Sequence, residues 1–391
     1  MSDPILADPT ACRRALFDGI AAVEQVLLAQ SAIDEQQGTL SPASLAALIA
    51  SGALRMKLPA VLGGFEADLV TQMAVLEKLA TLNASVAWCA MVGATSLALP
   101  GAFLPAAGIA QMFAHGVIPC GAIVVTPSGE ATPASGGYWL SGRWSFASGV
   151  RHAQWVVALA RVPQPGGAAP AIHVLVVPQA ACEIIDNWQV SGLQGTGSCD
   201  IILRDVWVPL EMSWALGAPP QRGGVLYHIG LPAFVAYEHA GFALGIARRV
   251  LDGVVEILRT KQRGYTPGGA RMTERGAVQR ALGHAEMRLR AARALAVEVN
   301  EEVWAAAANG APPLALQCLA RSAAVYATEV ATEVVGEAFR YAGASAIYQS
   351  HYLQRCLRDL DVAAQHYMVS DTAYENLGQI KLGYTDVNPM G

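Results

Sequence analysis

Leu193-Gln-Gly-Thr-Gly-Ser-Cys-Asp-Ile-Ile-Leu-Arg-Asp-Val-Trp-Val-Pro209 has two textures: a Gly-flanked loop offering backbone N–H groups and hydroxyls, then a run rich in Ile, Val and Trp that stops at proline. The run Cys199–Val208 resembles five other short segments rich in Val, Ile and Trp: Gly121–Thr126, Gly137–Ser145, Trp155–Arg161, Ala171–Val177 and Cys182–Trp188. Turn residues divide them, Ser135-Gly-Gly and the loop Pro163–Pro170 among them. Strands of this length and spacing predict an antiparallel barrel or sandwich of about 100 residues.

On both sides of this region the period changes to that of a helix. Leu16, Ile20, Val23, Val26 and Leu27 fall at helical spacing, Ser41-Pro42 opens a second helix as cap and first-turn residue, and a third is expected from Leu69 to Leu82. From Leu79 to Gly129 there is no Asp, Glu, Lys or Arg, yet Pro100, Pro105 and Pro119 interrupt the run. A membrane span needs roughly 20 continuous apolar residues, so a buried helix pair lining a pocket is expected. After Pro219 four long helical stretches follow, Ala233–Gln262, Met272–Asn309, Pro313–Tyr341 and Ser345–Leu377, the pattern of a four-helix bundle. The expected domains are 1–118 (α-helical), 119–216 (β) and 217–391 (bundle).

Of 391 residues 53% are hydrophobic and only 15% charged, which predicts long packed helices and much surface buried between subunits of a homo-oligomer. A net charge of −5 gives no pull toward phosphate backbones or anionic membranes, so neither nucleic acid nor membrane is an expected partner. Seven cysteines without a C-x-x-C pair read as reduced thiols, against structural zinc or iron–sulfur. The opening residues lack a basic stretch followed by an apolar one, so no signal peptide is read and a cytoplasmic location is expected.

Several motifs share this α, β, bundle order. Gly142-Arg-Trp-Ser-Phe-Ala-Ser-Gly149 with His152 and Trp155 resembles the W-x-W-x-S-G-x-x-H segment of flavin-dependent aromatic hydroxylases. Leu193–Pro209 resembles L-x-G-T-x-S…D-V-x-V-P, and Leu58-Pro…Gly63-Gly64 and Arg358-Asp359 with His366 also match. The chain is identified over essentially its whole length as a member of the acyl-CoA dehydrogenase superfamily. It is similar to the group D two-component flavin-dependent monooxygenases, such as 4-hydroxyphenylacetate hydroxylase oxygenase components and dibenzothiophene monooxygenases. The resemblance implies the acyl-CoA dehydrogenase fold: an N-terminal α-helical domain, a middle antiparallel β-barrel or sandwich and a C-terminal four-helix bundle. It also implies a tetrameric enzyme that takes reduced FMN or FAD as a diffusible co-substrate with O2. Through a flavin C4a-hydroperoxide such an enzyme hydroxylates a phenol-, indole- or thiophene-like ring. No G-x-G-x-x-G fingerprint for NAD(P)H follows a strand, so an NAD(P)H:flavin reductase is the expected partner.

The same resemblance assigns roles. Ser148 is similar to the serine that hydrogen-bonds flavin N5, and Phe146 stands where an aromatic packs on the ring. Thr196, Gly197 and Ser198 suit the flavin's polar edge or phosphate. Arg259 and Arg263 end the helix where the superfamily usually places a phosphate-binding arginine, although Lys261-Gln-Arg-Gly-Tyr265 replaces the familiar R-x-x-F-G. His366 is expected on a helical face with Asp359, Val362 and Val369, where an imidazole could accept a substrate proton or manage protons on the peroxide. Trp88, Met91, Thr95, His152 and Tyr367 are the expected substrate pocket. The helix after Trp88 reads Gly93-Ala-Thr-Ser96 where many hydroxylases carry a histidine, which implies a substrate without a carboxylate anchor. Taken alone, the same residues also read as a common Ser-Gly turn, a packed helical histidine and ordinary core.

The competing chemistry is removal of an α-proton by a glutamate, at the C-terminal position or on the first bundle helix. Gln365-His-Tyr-Met368 holds no carboxylate, and Phe234-Val-Ala-Tyr237 is followed by Glu238, about a turn too far along. An acyl-CoA dehydrogenase or oxidase acting through Glu238, a flavin-dependent N-hydroxylase, and a flavin-less scaffold are the alternatives.

Overall fold

Ser41 caps the second helix as its sequence requires: its Oγ accepts from Ser44 N (3.1 Å) and Pro42 takes the first turn. Asp34 accepts from Ser41 N (2.8 Å) and from Ser44 Oγ (2.7 Å), tying the end of α1 (Pro9–Gln37) to the start of α2 (Pro42–Ala50). The computed structural model describes residues 9–262 and 271–391. They form two compact units, one of residues 9–67, Trp88–Val190 and Gln194–Tyr227, the other of Asp68–Ala87, Ser191–Leu193, 228–262 and 271–391.

The first unit carries α1, α2, most of α4 (Ala84–Phe103), α5 (Ala106–Met112) and the sheet. Among the described residues α1 and α4 are apolar enough to span a membrane by length and composition; 83% of the most apolar window of α4 is buried, which makes it a core helix. The strands are β1 (Gly121–Ala134), β2 (Gly137–Ala147), β3 (Trp155–Val162), β4 (Ala171–Pro178), β5 (Glu183–Ile185), β6 (Cys199–Pro209) and β7 (Ser213–Ala215), ordered β5-β6-β2-β1-β3-β4-β7. One pairing departs from the antiparallel expectation. β3 runs parallel to β1, with Gly121 opposite Trp155. The link 148–154 carries the chain there from β2, and Gln154 N donates to Cys120 O (2.8 Å) on the way. This crossing is the Ser148 turn. Trp144, fully buried on β2, donates from Nε1 to Leu159 O (2.8 Å), satisfying its one polar atom.

The second unit holds α3 (Leu69–Leu82) and the bundle, α6 (Ala233–Thr260), α7 (Gly276–Ala308), α8 (Leu314–Ala342), α9 (Tyr352–Ala363) and α10 (Thr372–Lys381). Asp68 caps α3 by accepting from Thr71 N (2.8 Å). Helices α3 and α6 approach at Gly241 and Gly245, where a Cβ would fall 2.4 Å from Met73 O and 2.3 Å from Glu77 O. The predicted fourth helix is not continuous. It stops at Ala363, and a 3-10 turn, Tyr367–Val369, intervenes before α10. The cause is tertiary. Arg321, 1% exposed on α8, donates to Tyr367 O (2.8 Å) and Met368 O (3.2 Å), carbonyls a continued helix would have used internally.

Candidate active site

In the first unit, four expected residues form one hydrogen-bonded chain. Trp88 Nε1 donates to Ser148 Oγ (3.1 Å), Ser148 Oγ lies 2.7 Å from Ser198 Oγ, and Ser198 Oγ lies 2.7 Å from Thr196 Oγ1. All four side chains are buried. The turn is closed by Gly149 N donating to Thr196 O (2.9 Å). Thr196 and Ser198 therefore hold Ser148 from behind, and Trp88 orients the same hydroxyl. Each hydroxyl has one proton to give and two lone pairs. With Ser148 donating to Ser198, one Ser148 lone pair accepts from Trp88 and one is left for another donor.

The backbone here is unusual. Phe146 has φ 67° and its side chain is 69% exposed, edge-on to Trp188 with centroids 6.2 Å apart. A non-glycine residue held in the left-handed region is strained, and such strain concentrates at functional turns. Gly149 (φ 74°) also has His152 packed against it, since a Cβ there would lie 3.0 Å from His152 Nε2. His152 Nδ1 is buried without a hydrogen-bond partner, and burial pulls the ring's pKa down to about 4. Met91 is buried, and Thr95 Oγ1 accepts from Nζ of Lys57 (3.0 Å), a lysine 0% exposed. Gly197 adopts φ 54°.

In the second unit, His366 does not share a helical face with Asp359. It caps the 3-10 turn, Nδ1 accepting from Met368 N (3.2 Å). A neutral imidazole has one acceptor and one donor nitrogen, so with Nδ1 accepting from Met368 N the proton of His366 sits on Nε2. Burial lowers its pKa to about 4, so at neutral pH the ring is uncharged. Tyr367 lies against it, centroids 5.0 Å apart, and so does His239 of α6, at 4.5 Å and 30°. Glu238, beside His239, is 2% exposed. Asp359 is structural: its Oδ1 accepts from Leu193 N (2.6 Å), while Arg358 Nη1 donates to Ser191 O (2.6 Å). Arg259 is exposed in the last turn of α6, and Arg263 lies outside the described residues.

Sequence reasoning missed Lys57, Trp188, His239 and Arg321. Lys57 sits in Met56-Lys-Leu-Pro59, a cation in an apolar stretch, which is a usable signal. The other three become visible only through their neighbours.

Residues 237–371 match the family model described as acyl-CoA dehydrogenase, C-terminal domain. The chain is 29% identical over 350 residues to indole-3-acetate monooxygenase of Pseudomonas putida, covering 89% of each chain. It is 33% identical over 187 residues to the oxygenase component of the FADH2-dependent resorcinol hydroxylase of Rhizobium sp., covering 47% of this chain and 45% of that one. Its fold superposes on XiaF from Streptomyces sp., solved with FADH2 and glycerol, with TM-score 0.88 and 23% identity over the whole of both chains.

Proposed function

We propose that this member of the acyl-CoA dehydrogenase superfamily is the oxygenase component of a two-component flavin-dependent monooxygenase, hydroxylating a small aromatic or heteroaromatic ring. The reading rests on the Ser148 turn: its hydroxyl is fixed by Trp88 and Ser198, and when it donates to Ser198 it keeps one lone pair, the requirement for receiving the N–H of a reduced flavin's N5. Reduced FMN or FAD, when bound, supplies the activation of O2. The relatives' named substrates, indole-3-acetate and resorcinol, support an indole- or phenol-like ring.

The residues then divide the work. Phe146, exposed and braced by Trp188, offers an apolar surface to a flat ring. Thr196, Gly197 and Ser198 stiffen the turn, and Arg259 is the described candidate for the flavin phosphates. His366 holds a proton at Nε2 that it can share with a developing negative oxygen, and the residues offered for the substrate are Trp88, Met91, Thr95 and His152 in the first unit and Tyr367 in the second. An NAD(P)H:flavin reductase supplies the reduced flavin. The division into domains 1–118, 119–216 and 217–391, a homotetramer and a cytoplasmic location belong to the same proposal.

The test is stopped-flow absorbance with reduced flavin, oxygen and a panel of indoles and phenols. The expected result is a transient species between the reduced and oxidised spectra, followed by hydroxylated product. Flavin oxidation at the same rate with and without protein would sink the reading, and bleaching of bound oxidised flavin by an acyl-CoA would favour dehydrogenation through Glu238.

A further inference from the structure

His239 occupies the first turns of α6, 6% exposed, and its ring stacks on that of His366 with centroids 4.5 Å apart and planes at 30°. Several contacts act on His366 from within one unit. Arg321 anchors the carbonyls of the next two residues, Tyr367 and Met368. Met368 N anchors Nδ1 at 3.2 Å. The bond to Nδ1 restrains the ring at one edge, and Tyr367 lies against it tilted at 36°. A closer face-on neighbour restrains it further, because a flat ring against another flat ring loses freedom to swing about χ2.

We propose that His239 is a positioning residue for His366, holding by its stacked ring the direction in which Nε2–H points. This rests on the reading of His366 as the proton-handling group. A donor aimed at a developing charge is effective only when it is held in place beforehand, and small displacements are costly. The stack also limits charge: two imidazoliums at this distance repel, so the pair does not readily take up two protons. The ionisable side chains on the elements packed against this turn include Glu238 and His239 on α6 and Arg321 and Cys318 on α8, with Tyr367 on the turn itself. Burial lowers the His366 pKa, so its ring is uncharged at neutral pH beside the cationic Arg321.

The experiment compares wild type, His239→Ala and His239→Phe in two ways. In flavin-free protein, the ring protons of His366 are titrated by NMR. With reduced flavin and an aromatic substrate, kcat and KM for hydroxylation are measured. In His239→Ala the His366 titration midpoint is expected to move upward by about one unit or more, as its ring gains water. Hydroxylation kcat should fall about tenfold with KM within about twofold, the mark of lost orientation. His239→Phe, which keeps a flat ring, should recover both. A folded His239→Ala protein with unchanged titration and unchanged kcat overturns the proposal, and so does a Phe variant as impaired as the Ala one. If wild type hydroxylates nothing while the titration still responds to His239, the positioning is upheld and the proposed function fails.

Discussion

Ser148 Oγ carries more connections than a turn serine needs. Replacing it with alanine strands the Trp88 indole N–H and removes one partner of Ser198, at about 1 kcal/mol for one such bond. Ser148→Ala also removes the acceptor offered to flavin N5–H and, at about 1 kcal/mol for that bond, should bind reduced flavin roughly fivefold more weakly in an anaerobic titration, with little change in fold by circular dichroism. The histidines predict a pH response. His152 and His366 have folded pKa values near 4, below the ordinary 6.5, so between these limits the unfolded chain takes up protons that the folded chain refuses. Stability should fall as pH drops from 6.5 to 4, by up to about 1.4 kcal/mol per pH unit for each ring, with no such contribution above 6.5. Urea midpoints across that window should fall less steeply in His152→Phe; an equal slope would falsify the assignment. Ser148 and His366 drew attention in the sequence because each stands in a segment that resembles a family's. His239 was not, since an imidazole among Tyr237, Ala240 and Phe242 reads as helix core until the residue stacked on it is known.

Elements were legible where their causes are local. Asp68 and the apolar period after it fix α3 to the residues expected, Leu69–Leu82, and Ser41-Pro42 fixes α2. The break after Ala363 was not, because Gln365-His-Tyr-Met368 contains neither Gly nor Pro and would continue a helix. Its cause sits on another helix, in Arg321. The parallel pairing of β1 and β3 is likewise decided by where the 148–154 link crosses, which no strand's own residues record. Arg321→Met keeps bulk on α8 but removes the donors to Tyr367, Met368, Pro389 and Thr372. It should cost about 2–4 kcal/mol in urea unfolding, at the usual strength of hydrogen bonds to charged donors, and should lower hydroxylation further than the stability loss predicts by disturbing His366.

For the whole molecule, the absence of a dinucleotide fingerprint carries a consequence for assay. NADH with oxidised flavin and an aromatic should give no product with this chain alone, and adding any flavin reductase should restore turnover, as liquid chromatography of the product would show. The low share of charged residues predicts an oligomer and the family resemblance a tetramer, so the purified protein is expected to sediment at about four times the mass of one chain. Six of the seven cysteines are buried, and Cys182 is half-buried. Burial pushes thiols upward, Cys182 to about 12 and Cys356 to about 11, with Cys89, Cys120 and Cys318 also raised. Hydrogen peroxide oxidises thiolates far faster than thiols. A catalyst that handles reduced flavin in air generates peroxide whenever oxygen is consumed without a substrate, so keeping its sulfur protonated makes it tolerant of its own leakage.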